Sequence, residues 1–152
     1  MDDLDRKILT LLQANADLAL ADIAEQVSLS TTPCWRRIQN LEKAGVIRAR
    51  VALLDAAKIN LGVTVFVRIR TNRHDLEWLE LFARAIADIP EIVEVYRMSG
   101  DIDYVLKVVV PDITSYDAIY KQLIGSVPMM DVSSNFAMEE IKLTTALPLT
   151  YV

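Results

Sequence analysis

Thr32, Trp35, Arg36, Gln39 and Lys43 recur at spacings of three and four, which brings them to one side of a helix. An arginine fork can bind guanine and a glutamine amide can read adenine. Ser30, Thr31 and Thr32 open that helix, where hydroxyls and free backbone N–H groups suit phosphate oxygens. Arg36, Arg37, Lys43, Arg48 and Arg50 fall within fifteen residues opposed only by Glu42, a local charge of +4. Arg48 and Arg50 directly follow the helix, where a wing contacts a nucleic-acid backbone. The plainer alternative is a solvated face on a three-helix bundle that serves as a protein interface. Gly100, Asp101 and Asp103 form a second group. Two carboxylates two residues apart project to the same side of an extended chain, and one of them can take an ammonium group. Backbone N–H groups around Gly100 can take a carboxylate, so together they suit a free amino acid. Glycine and aspartate are also what an ordinary strand turn demands.

Other chemistries fit less well. Asp101 and Asp103 have no His, Cys or Lys within their loop to act as partner or nucleophile, so an enzyme is a poor reading. The single cysteine, Cys34, and single histidine, His74, cannot build a Cys/His metal cluster, and no cofactor is implied. Cys34 falls on an inward stripe, where a buried thiol is the default and redox sensing the alternative. Trp35 either joins the polar face or packs on the first helix. Arg37 either meets DNA or bonds an acidic neighbour within its own domain.

The chain has 152 residues, 53% apolar and 24% charged, which suits one globular domain or two small ones. The longest stretches without a charge, Gln26–Trp35 and Leu143–Val152, span ten residues each, half of what a membrane helix needs. The acidic start Met1-Asp2-Asp3-Leu4-Asp5 fits neither a secretory signal nor a transit peptide, and the protein is expected in the cytoplasm. Net charge is −5, but residues 1–60 balance eight cations against eight carboxylates, so the deficit lies wholly in residues 61–152. A polyanion contact would therefore be confined to one patch.

The elements around these groups can be read from spacing. Leu4, Ile8, Leu11 and Leu12 predict a helix with Asp3 as its cap, and Ala21, Ile23, Ala24 and Val27 a short second one. Ser28-Leu29-Ser30 is a turn, Ser30 caps a third helix, Pro33 sits in its first turn, and Gly45 stops it. Cys34, Ile38 and Leu41 face inward. Val46–Leu54 alternates as a strand or hairpin, and residues 55–62 form the best linker. Val63–Arg70, Ile92–Met98, Tyr104–Val110 and about Val132–Thr144 are predicted strands. Helices around Leu79, Phe82, Ala83 and Ile86 and around Tyr116, Ile119, Tyr120 and Leu123 separate them. The expected fold is α+β: a winged helix-turn-helix over residues 1–54 and a ferredoxin-like βαββαβ domain over residues 63–152. Such a sheet has helices on one face only, and a second copy is the cheapest cover for the other, which predicts a homodimer.

Leu29-Ser30-Thr31-Thr32-Pro33-Cys34-Trp35-Arg36-Arg37-Ile38 with Leu41-Glu42-Lys43-Ala44-Gly45-Val46-Ile47 resembles the DNA-binding region of the Lrp/AsnC (feast/famine) transcriptional regulators. Leu4-Asp5-Arg6-Lys7-Ile8-Leu9 is similar to that family's first helix. Ser99-Gly100-Asp101-Ile102-Asp103-Tyr104 with Val109-Val110-Pro111-Asp112 resembles its amino-acid-sensing domain. The resemblance covers nearly the whole chain in order. It departs at Ala49-Arg50, where Gly-Tyr is usual, and at Ile102, where an aromatic is usual. It implies an amino-acid-responsive regulator of amino-acid metabolism that binds double-stranded DNA and forms homodimers that assemble into octamers. It also implies an effector held between subunits near Gly100, Asp101, Asp103 and Tyr104, with Ser133, Ser134 and Asn135 opposite. An architectural DNA-packaging protein and a metabolic regulatory subunit that binds no DNA are the competing functions.

Overall fold

The structure, a computed structural model, describes residues 1–152. The chain forms two units, Met1–Leu53 together with Ile141–Val152, and Leu54–Glu140.

In the first unit, α1 (Asp3–Ala14) is capped by Asp2, one residue before the expected Asp3. The Asp2 carboxylate accepts from the Asp5 N–H at 2.9 Å, and the Asp5 carboxylate accepts from the Asp2 N–H at 3.2 Å. This reciprocal pair satisfies two N–H groups that a helix start otherwise leaves free. Helix α2 (Leu20–Gln26) leads through Ser28, whose left-handed φ of 57° turns the chain, into α3 (Thr31–Lys43). Gly45, at φ 71°, stops α3: its N–H donates to the Glu42 carbonyl and the Val46 N–H to the Leu41 carbonyl. A side chain at that left-handed position would be strained, so glycine terminates the helix where the sequence predicts. Ile8, Ile23, Cys34, Ile38 and Leu41 are buried at the centre, with the inward stripe of α3 as expected.

Two expectations about this unit need correction. Val46–Leu54 forms no strand or hairpin; Val46 and Ile47 bend back to the Leu41 carbonyl, and the chain from Arg48 to Leu54 takes no regular structure. Val51, Leu53 and Leu54 are about 70% exposed, because no second strand lies beside them to share their hydrogen bonds. The C-terminal domain was also expected to run to Val152, yet Ile141–Val152 belongs to the first unit. Leu149 packs on the helical core. Gln13 brackets the Leu147 backbone, accepting from its N–H at 2.6 Å and donating to its carbonyl at 3.2 Å.

The second unit runs β1 (Val63–Arg70), α4 (Leu76–Ala87), β2 (Ile92–Arg97), β3 (Tyr104–Val110), α5 (Ile113–Ser126), β4 (Asp131–Phe136). Its sheet has the order β2-β3-β1-β4 with every neighbour antiparallel, the ferredoxin-like arrangement. Strand β4 ends at Phe136 rather than near Thr144. Phe136 pairs with Val65 and the Ala137 N–H still reaches the Thr64 carbonyl, but β1 begins at Val63 and offers nothing beyond. Asp75 and Asp112 cap α4 and α5 by accepting from Trp78 N–H at 2.9 Å and Ser115 N–H at 2.7 Å.

Alternate residues of the central strands (Val65, Val67, Ile69; Leu106, Val108, Val110) are 0–1% exposed beneath the helices. Trp78, Phe82 and Tyr104 stack over one end of the sheet with ring centres 4.8–5.5 Å apart. The other set of strand residues forms a face without helices, where Phe66 is 42% and Tyr96 55% exposed.

Candidate nucleic-acid interface and effector loop

The outward side of α3 is set by its inward stripe. With Cys34, Ile38 and Leu41 buried, Thr31, Thr32, Trp35, Arg36, Lys43 and, beyond the helix, Arg48 are exposed. Trp35, 51% exposed, stands on this surface rather than in the core. Ser30 takes the extended cap conformation, but its hydroxyl makes no cap bond. Pro33, at the third helical position, has no N–H to give, which removes one of the two usual donors to such a cap. The N–H groups of Thr31 and Thr32 are therefore left for an outside acceptor, while the Cys34 N–H already donates to the Ser30 carbonyl at 3.2 Å. Free N–H groups at a helix start favour an anion such as phosphate.

The cations of this patch divide into free and engaged. Arg36, Lys43 and Arg48 make no ion pair. Arg37 is engaged with the α1 cap, its Nη1 donating to Asp2 at 2.7 Å and Asp5 at 2.8 Å. These bonds hold its pKa above the ordinary value, with Asp5 the larger cause and Asp2 the next. Conversely, the Asp5 N–H and then Arg37 lower the pKa of Asp2. Arg37 thus bonds within its own domain, the second of the alternatives open from sequence. Arg50 and Gln39 meet at Glu42, Arg50 through Nη2 at 3.0 Å and Gln39 through Nε2 at 2.7 Å. Spacing puts Gln39 on the outer face and position puts Arg50 just past the helix; neither gives a sign that one carboxylate holds both. Asn40, absent from that face in the sequence reading, is exposed and its amide makes no hydrogen bond. Burial pushes the Cys34 thiol pKa up, which keeps it protonated and favours packing over redox sensing.

In the second unit the loop after β2 separates its two carboxylates by role. Asp103 staples the turn: its Oδ2 accepts from the Thr71 N–H at 2.8 Å, its own N–H donates to the Ile69 carbonyl at 2.9 Å, and its carbonyl accepts from Met98 N–H at 2.8 Å. Thr71 is buried at 5% exposure, so this acceptor satisfies an amide that water cannot reach. Gly100, at φ 102°, and Asp101 are exposed, and Asp101 makes no hydrogen bond.

The remaining effector candidates are dispersed. Tyr104 belongs to the aromatic stack, a packing role its place in the sequence string does not reveal. Ser133 pairs opposite Arg68 on the open face, whereas Ser134 turns toward α5 and bonds the Tyr116 hydroxyl. The strand's two-residue period puts these neighbours on opposite faces, so one ligand cannot meet both side chains. Burial raises the Tyr116 pKa, opposed by the bond to Ser134. A small cavity of about 150 Å³ is lined by Trp78, Leu79 and Tyr104 together with Arg73, His74 and Arg97, and neither Gly100 nor Asp101 lines it. Arg73 is engaged by Asp75 and Glu77 at 2.9 and 3.0 Å, while Arg97 makes no ion pair. His74 Nδ1 stands 3.9 Å from Asp103. No helix is long and apolar enough to cross a membrane.

Known proteins resemble both units. Residues 1–48 match the winged helix-turn-helix DNA-binding family, and residues 64–147 match the Lrp/AsnC ligand binding domain. The glutamate uptake regulatory protein of Zymomonas mobilis is 50% identical over 149 residues, covering 98% of this chain and 91% of its own. A crystal structure of an AsnC family transcriptional regulator from Agrobacterium tumefaciens superposes with a TM-score of 0.95 at 62% identity, over 99% of each chain. A Neisseria meningitidis transcriptional regulator solved as its L-methionine complex gives a TM-score of 0.94 at 35% identity, over 99% of this chain and 98% of that one.

Proposed function

The chain belongs to the Lrp/AsnC family of transcriptional regulators, and we propose that it is a DNA-binding regulator of amino-acid metabolism that answers to a free amino acid. The observation that carries the DNA half is the outer side of α3, where Arg36 and Lys43 stand unpaired beyond two free backbone N–H groups. This helix enters the major groove: Arg36 meets a base edge, while Ser30, Thr31, Thr32, Trp35, Lys43 and Arg48 set its position on the backbone. Arg50 joins them once it leaves Glu42. The effector half rests on relatives whose names state glutamate uptake and an L-methionine complex, and on the free Asp101 carboxylate beside Gly100. Asp101 takes the ammonium group, Arg97 offers a free guanidinium for the carboxylate, and Asp103 keeps the loop in shape.

The regulator works as a homodimer, with a second copy over the open face that leaves Phe66 and Tyr96 in water, and dimers assemble further into octamers. An amino acid that favours one assembly or one orientation of the DNA-binding units shifts the population toward it. DNA affinity then changes because paired recognition helices must match half-sites about 34 Å apart or a multiple of it. The test combines a thermal-shift screen of the twenty amino acids with DNA titrations at fixed salt. The reading expects one or a few of them to raise the melting temperature by mass action, and a selected duplex to bind about 10³-fold or more above random DNA. Equal affinity for both duplexes with the same steep salt slope would instead indicate packaging.

A further inference from the structure

We propose that Asn40, rather than Gln39, is the amide of α3 that reads adenine, paired with Arg36 on the neighbouring base. The assignment rests on the DNA-binding reading above and names a determinant within it. An amide recognises adenine by using both ends at once, donating to N7 and accepting from the N6 amino group. Gln39 is already committed: one of its two Nε2 protons gives a 2.7 Å hydrogen bond to the Glu42 carboxylate, which also holds Arg50 at 3.0 Å. Turning that amide onto a base edge breaks a charge-assisted bond and leaves Glu42 short of a donor beside a polyanion. Asn40 is exposed and both ends of its amide are unengaged.

Its position fits as well. At about 100° per residue, Asn40 lies only about 40° around α3 from Arg36 and one turn along it, whereas Gln39 lies about 60° to the other side. Arg36 and Asn40 border one groove on the surface of the first unit, with Pro33 and Ala44 beside them, and Gln39 does not reach it. One turn is about 5.4 Å, between one and two base-pair steps of about 3.4 Å. The two side chains therefore address a guanine and an adenine one or two steps apart. Arg37, which lines the same groove, is fixed to Asp2 and Asp5 and does not compete for those bases.

The experiment is selection by the full-length protein from a pool of duplexes with a randomised core, repeated with Asn40→Ala, Gln39→Ala and Asn40→Asp. Wild type is expected to enrich a guanine and an adenine within two steps. In Asn40→Ala the preference at that adenine should fall by about 5- to 150-fold while the guanine is retained. Gln39→Ala should keep both. Asn40→Asp should exchange adenine for cytosine, whose amino group a carboxylate accepts from. The assignment is overturned if Gln39→Ala flattens the adenine column, or if Asn40→Ala weakens all sequences alike with preferences unchanged. Should Asn40→Ala bind nothing, Asn40→Asp decides: a switch to cytosine upholds the assignment, and anything else overturns it. A wild type that enriches no sequence sinks the broader reading together with this one. An enriched site indifferent to Asn40 sinks this one alone.

Discussion

Replacing Glu42 with alanine should tighten DNA binding, although it removes two hydrogen bonds. Glu42 holds Arg50 at 3.0 Å and Gln39 at 2.7 Å, with the Arg50 and Glu42 side chains 42% and 33% exposed. An ion pair this open to water is worth about 0.2–1 kcal/mol, and Arg50 loses it before it can meet a phosphate. Freeing Arg50 in advance should therefore raise affinity by about 1.4- to 5-fold, with a further gain from removing a carboxylate near the backbone. Arg50 meets the same phosphate in both proteins, so the slope of log affinity against log salt should stay as it is. Fluorescence anisotropy with a labelled random duplex at two salt concentrations reads both quantities. The melting temperature should barely move, because exposed pairs contribute little to stability. Unchanged or weaker binding would refute the reasoning, since Arg50 would then have no role on DNA.

Three further outcomes follow from the same structure. Leu106→Ala, at a 0% exposed position of a central strand, should cost the second unit about 2–5 kcal/mol in urea unfolding. Asp103→Ala should cost that unit about 1–3 kcal/mol by leaving the buried Thr71 N–H without an acceptor, whereas Asp101→Asn should leave unfolding unchanged and weaken binding of whichever amino acid raises the melting temperature. Acid should loosen the helix starts. The carboxyls of Asp2 and Asp112 titrate below the ordinary value, chiefly through backbone N–H groups, and that of Asp75 chiefly through Arg73. A lowered folded-state pKa gives stability that is present above the unfolded value near 3.8 and is lost as pH falls through the folded one. Circular dichroism should therefore show thermal stability declining below about pH 4 and flat above it as far as these groups are concerned.

The order of elements and the α3 face were legible because local rules decide them: Gly45, Pro33 and the Cys34–Ile38–Leu41 stripe act within a turn or two of themselves. The strands of the second unit were legible for the same reason, through the two-residue alternation of Val65, Val67 and Ile69. What failed needed a partner distant in sequence. Val46–Leu54 alternates like a strand but has no neighbour to pair with, and the end of β4 is set by where β1 begins. The return of Leu147 and Leu149 to α1 depends on Gln13 and the helical core, far back in the chain. At the candidate site, residue type and spacing singled out Arg36 and the Gly100–Asp101 loop, which are exposed in the structure. They could not show that Glu42 occupies Gln39 and Arg50, that Asp103 serves Thr71, or that Tyr104 belongs to the aromatic stack. Each is a side-chain bond or packing contact that pattern does not encode.

The most direct test of the whole account titrates the full-length protein onto its selected duplex at one salt concentration, alone and with each of the twenty amino acids. Coupling between an effector site and a DNA site is typically about 1–3 kcal/mol, a 5- to 150-fold change in the dissociation constant. The account predicts a change of that size with one or a few amino acids, and its loss in Asp101→Asn while effector-free DNA binding survives. A dissociation constant that none of the twenty amino acids alters would contradict it.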